Sequence, residues 1–147
     1  MDAALRLLRE TITHPWESVD QVLREHGGKA LGDPETPSTG AWHLRHIVEI
    51  FRKHVEVTTR AHLKFPPDIP PDPVHARHAL LKDVDLFIEW VGQQPLSRRQ
   101  ETIEYGGPHS VEAMIGVMSR HIVWHAAAVH YWCKWKLTPQ TETPHHS

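Results

Sequence analysis

Residues 114–132 read MIGVMSRHIVWHAAAVHYW, the most apolar stretch of the chain. Met114, Met118, His121, His125 and Trp132 recur at helical spacing and share one face of a helix. That face is expected to look inward, which places two imidazoles, one turn apart, in a hydrophobic interior. Buried polar rings need partners, and one divalent metal ion satisfies both. The helix is expected to begin at Ser110 as cap and to run to about Lys136, where Leu137-Thr138-Pro139 stops it.

Upstream the pattern predicts three further helices. The stretch from about Val74 to Val91 turns Leu80, Leu81, Val84, Phe87, Ile88 and Val91 inward, and the less regular Gln93–Pro108 follows it. Within that stretch, ETIEYGG alternates enough for a short extended piece before Gly106-Gly107-Pro108 breaks the chain. A second helix is expected from a Ser38 or Thr39 cap to about His62, with Trp42, His46, Ile50 and Val57 on its inner face. Between these two helices lies FPPDIPPDP, residues 65–73. Its five prolines forbid a helix, and eight extended residues at ~3.1 Å each span roughly 25 Å, enough for a crossover along a bundle.

The first helix is expected over Ala3–Glu25. Leu5, Leu8, Ile12, Trp16, Val19 and Leu23 lie inward, with a bend or restart at Pro15 and an end at Gly27-Gly28. Lys29–Pro37 reads as a loop. Helix, helix, crossover, helix, helix is an all-α four-helix bundle with one long connection. It forms a single domain over residues 1–139, with 140–147 as a disordered tail.

The 147 residues suffice for one domain with a sizeable core. A formal net charge of −2 argues against a broad electrostatic grip on nucleic acid or anionic lipid. The N-terminal MDAALRLLRE reads as helix rather than secretory signal. No apolar run reaches the roughly 20 residues of a membrane span. One cysteine, Cys133, excludes an internal disulfide framework and fits a reducing compartment. Together these predict a soluble, cytoplasmic protein with no nucleic-acid or membrane partner. There is no phosphate loop, HExxH motif or nucleophilic serine arrangement, and Cys133 reads as packing.

Histidine is the outlier, with 14 in the chain. Bundles build metal sites from side chains on facing helices, so a third ligand is expected from the second helix. His46, with Trp42 one turn before it and Ile50 one turn after, is the preferred residue. His43 shares that face and could replace or supplement it, or merely line a pocket. Three neutral imidazoles suit Zn²⁺, Ni²⁺ or Fe²⁺ and leave a coordination position open. His75 and His78 read as solvated, and His130 points elsewhere than His125. His14, His26, His54, His62 and His109 read as surface. Glu49, the one carboxylate within a turn of His46, could orient that ring or serve as a base; Glu112 and Tyr131 are weaker candidates. Trp42, Trp124, Tyr131, Trp132 and Trp135 read chiefly as core and interface packing. Ala126-Ala127-Ala128 leaves room for a cavity or a close helix contact.

Three pieces in this order, WHLRH at 42–46, TIEYGGPHSV at 102–111 and HIVWH at 121–125, resemble the DinB/YfiT-like family of small bacterial four-helix proteins. The resemblance implies an up-down-down-up bundle, often dimeric. It also implies a zinc or nickel ion held by one histidine of the second helix and two of the last, which fall on His46, His121 and His125. Activities in the wider group include transfer and isomerisation with low-molecular-weight thiols such as bacillithiol or mycothiol, and many members are described as metal-dependent hydrolases. The expectation is a small metal-dependent enzyme acting on a small molecule. Its open metal position would activate water, by lowering its pKa toward 7, or a thiol held as thiolate. Mn²⁺ is a further possible ion. The rival readings are a non-catalytic metal-binding or stress-response protein and a plain interaction bundle.

Overall fold

The computed structural model describes residues 2–27 and 30–137. Among these residues five α-helices form: α1 (Ala3–Thr13), α2 (Val19–His26), α3 (Gly40–Thr58), α4 (Pro73–Gly92) and α5 (Val111–Trp132). Each begins with a side-chain cap, which satisfies amide donors the helix cannot pair itself. Asp2, Ser18, Thr39, Asp72 and Ser110 accept from the backbone N–H three residues on, at Leu5, Gln21, Trp42, His75 and Ala113. Pro73 occupies the first turn of α4, where its missing N–H costs nothing.

The expected first helix is two helices. Pro15 has no N–H to continue α1, and the chain restarts only at the Ser18 cap. Trp16 falls in the break and is 65% exposed rather than inward. The second expected helix ends at Thr58 instead of His62, with Arg60 and Ala61 both in the left-handed region after it. Its buried face is also rotated from the one expected. Leu44, Ile47, Val48, Phe51, His54, Val55 and Thr58 are buried, while Trp42, His46, Ile50 and Val57 are only half-buried. In α4, Leu80, Val84, Phe87 and Val91 are buried as expected, with Leu81 and Ile88 packed at the margin. After α5 the helix continues as one wider turn over Cys133–Leu137. Gly28, Lys29, Thr138, Pro139 and the expected tail 140–147 lie outside the described residues.

Between α4 and α5, Ile103–Glu104 (β1) pairs antiparallel with Pro108–His109 (β2), Ile103 opposite His109. The turn needs glycine: Gly106 and Gly107 have φ of +64° and +125°, conformations costly for any residue with a Cβ. Buried Ile103 anchors this hairpin, which rests against α3 and α5.

α5 packs on α3, α1 and α2, and α4 packs on α3 and α1. One continuous core joins them, including Leu8, Ile12, Phe51, Phe87, Met114, Met118 and Ile122. The chain is therefore mostly helical with a small hairpin. Among the described residues no helix is long and apolar enough to cross a membrane.

Candidate metal centre

The α3–α5 contact builds the histidine site. At the start of α3, Gly40 lies so close to α5 that a Cβ there would come within 3.1 Å of the Trp132 ring. Moving forward along α3 and backward along α5, His43 meets His125 and His46 meets both His125 and His121. Two turns further on, His54 also meets His121. The contacts run in opposite chain order, so histidines far apart in sequence gather at one place.

His46, His121 and His125 each offer a nitrogen, and these nitrogens all lie within 4.8 Å of one another. Their ring centroids are 4.6 Å (His46–His125), 5.5 Å (His46–His121) and 4.5 Å (His121–His125) apart. All three rings are half-buried, at the edge of the core rather than inside it. Three imidazoles so placed suit a borderline divalent ion of the zinc, nickel or iron type. The donor set and its spacing therefore fit a metal ion, whose identity three imidazoles leave open.

Surrounding groups fix the rings. The Trp42 indole stacks on His46, centroids 4.7 Å apart and planes 10° from parallel. His43 places its Nδ1 2.9 Å from Nδ1 of His125, which occupies one nitrogen of that ring and leaves Nε2 available. Glu49 is mostly exposed and its carboxylate lies 3.7 Å from Nδ1 of His46, beyond hydrogen-bonding reach.

His54 was expected at the surface and is instead 2% exposed. Its Nε2 shares a 3.1 Å hydrogen bond with the Tyr105 hydroxyl of the hairpin, and its Nδ1 is buried with no hydrogen-bond partner. Its place on the Ile47–Phe51–Val55 stripe is the signal that marks it as inward. His26, also expected at the surface, is buried on the Val19–Val22 face of α2. His75 and His78 are exposed as read, His75 paired with Asp72. Glu112 and Tyr131 are exposed and do not join the group.

Burial lowers the proton affinity of these rings, because a charged imidazolium loses hydration there. His125 falls to about 4, through burial first and then the neighbouring His121, His46 and His43. His54 also falls to about 4, through burial, His121 and Lys53. His121 and His43 are lowered by burial and by His46. Near neutral pH these rings are uncharged, and a neutral ring keeps the lone pair a cation requires.

A polar cleft of about 170 Å³ adjoins His46, lined by Pro34, Glu35, Trp42, Arg45 and Glu49. Arg45 and Glu35 are ion-paired across it. The larger hollow, about 600 Å³, is elsewhere: an apolar groove between α1 and α5 lined by Leu7, Val123, Trp124, Ala127, Ala128 and Tyr131. Trp124, Tyr131 and Trp135 are thus exposed rather than core, and Ala127 and Ala128 help to form the groove while Ala126 is buried. Cys133 is buried, as packing requires. Comparison with known proteins found no matching family model, no matching curated protein and no matching solved structure.

Proposed function

We propose that this chain is a small metal-dependent enzyme of the DinB/YfiT-like type, with His46, His121 and His125 holding a divalent cation. The observation that carries the reading is the convergence of one histidine of α3 and two of α5, with donor nitrogens within 4.8 Å of one another. When bound, the ion supplies Lewis-acid activation of a nucleophile, either water or a low-molecular-weight thiol. The chain's own residues orient the site: Trp42 fixes the plane of His46, and His43 fixes the rotation of His125. The His54–Tyr105 pair closes the inner side next to His121. The cleft beside His46, with Arg45, Glu35 and Glu49, is the entry for a small polar reactant. Contacts of α5 with α1 and α3, and of α4 with the same two helices, support four principal rods closing into an up-down-down-up bundle, with α2 as an accessory. A cytoplasmic homodimer completes the reading.

The test begins with metal analysis of tag-free protein. The His121→Ala variant is expected to lose one equivalent of metal that wild type holds; unchanged metal content overturns the ligand assignment. Loaded protein is then assayed with a thiol and monochlorobimane, and separately with a panel of esters and amides. Turnover in the first arm identifies an S-transferase and turnover in the second a hydrolase. Silence in both, with metal bound, overturns the catalytic part and leaves a metal-binding protein.

A further inference from the structure

A second group of donors lies on the other side of α5. His26 Nε2 is 3.1 Å from His130 Nδ1. The Glu25 Oε2 atom is 3.7 Å from the first and 3.5 Å from the second. These three edges enclose a point about 2.0 Å from every donor, and zinc bonds nitrogen and carboxylate oxygen at ~2.0–2.2 Å. They also approach the roughly 3.3 Å edge of a tetrahedron built on such bonds. We infer that Glu25, His26 and His130 form a second divalent-cation site, separate from the histidine triad.

Three independent features support a built site. First, the carboxylate is held: Gln21 Nε2 donates to Glu25 Oε1 at 3.0 Å, which leaves Oε2 directed at the two rings. Orienting bonds of this kind are what tune metal ligands. Second, His26 is buried while His130 is only half so, so the group has an inner anchor and an outer opening. Third, a hollow of about 230 Å³ between α2 and α5 adjoins His130, bounded also by Ser18, Gln21, Val22 and Ala126. Of the three donors only His130 lines it, so the hollow leaves room for water on that side of the group.

Two imidazoles and one carboxylate suit zinc and similar borderline ions better than calcium or magnesium, which prefer all-oxygen sets. The two sites differ in character. The triad is all nitrogen and lies between α3 and α5, whereas the second includes a negative ligand and ties the short α2 to α5. Bound there, the ion joins α2, which follows the break at Pro15, to the long helix beside it. A ligand that binds only the folded chain raises its melting temperature.

The experiment uses the full-length, tag-free chain, stripped of metal and titrated with Zn²⁺ alone by calorimetry, with His145 and His146 changed to alanine in every sample. About two equivalents are expected. His121→Ala should remove one of them, while His130→Ala and Glu25→Gln should each remove the other; both of these residues are partly exposed, so the variants keep the core. Zn²⁺ should still raise the melting temperature of His121→Ala and should fail to raise that of His121→Ala/His130→Ala. No second equivalent, or a second equivalent that survives both His130→Ala and Glu25→Gln, overturns the site and leaves a hydrogen-bonded histidine pair beside a carboxylate. Failure of the triad shows separately, as an equivalent indifferent to His121→Ala.

Discussion

His54 is a buried ring with one nitrogen on Tyr105 and the other without a hydrogen-bond partner, and that places a cost on its protonation. Its pKa falls from the ordinary 6.5 to about 4, and His125 falls equally far. In the unfolded chain both rings take a proton near pH 6.5, whereas in the folded chain they resist it. Acid therefore draws the equilibrium toward the unfolded state. The contribution to stability is complete above pH 6.5 and is lost progressively as pH falls toward 4. Urea denaturation of chelator-treated protein at a series of pH values should show this decline, and His54→Gln should make it shallower. An unchanged slope in that variant means the ring is not the source. Candidate-site residues were legible in sequence only where spacing and chemistry agreed. His121 and His125 stand out at four-residue spacing in an apolar run. His54 sits beside Lys53 and Glu56, and those charged neighbours masked its position on the buried stripe.

At the scale of elements, Arg52 ties three segments together. Its Nε donates to Asp83 of α4 at 2.7 Å, and its Nη1 donates to the carbonyls of Pro66 and Asp68 in the proline-rich connection. Both members of the ion pair are largely buried, and burial raises the Asp83 pKa despite the opposing pull of Arg52. Removing one partner of a buried pair typically costs about 3–5 kcal/mol, so Arg52→Ala should destabilise by about 3 kcal/mol at pH 7. Without its cation, Asp83 is held more strongly in the neutral form, so the cost should shrink as pH falls and the carboxyl protonates. Denaturation midpoints at pH 7 and pH 4 test this, and a cost independent of pH counts against the pair as its cause. None of this was readable from the chain alone, because long-range ion pairs leave no periodic trace. Helix positions were more legible. Proline breaks, side-chain caps and the glycine turn act locally, so α4, α5 and the hairpin lie close to where they were expected. The face of α3 was misread because Trp42, His46, Ile50 and Val57 form a regular stripe of their own, about 130° around the helix from the buried one. That stripe includes Trp42 and His46, which line the cleft, and a half-buried edge of this kind imitates a core face in any pattern based on hydrophobicity.

For the molecule as a whole, α5 divides its circumference among several tasks. At 100° per residue, its buried arc runs through Met114, Met118, Ile122, Ala126 and Val129. His121 and His125 border one edge of that arc and His130 the other. The outer arc is also largely apolar around the charged Arg120: Trp124 is 75% exposed, Tyr131 68% and, beside them on α1, Leu7 58%. Together with Val123, Ala127 and Ala128 they line the groove of about 600 Å³. On the proposed homodimer reading, this exposed apolar face is the association surface, since a large apolar patch is unfavourable in a monomer. Tryptophan and tyrosine are the side chains that most often dominate such surfaces. A two-fold axis along this face would let each copy place Trp124 in the other's groove, since a symmetric dimer uses the same patch twice. Wild type should therefore sediment as a dimer, and Trp124→Lys as a monomer with an unchanged helical circular dichroism spectrum. Trp124 belongs to neither donor group, so metal stoichiometry should not change. A wild-type monomer, or a Trp124→Lys dimer, removes this face from the proposed assembly and leaves the two proposed ion sites untouched.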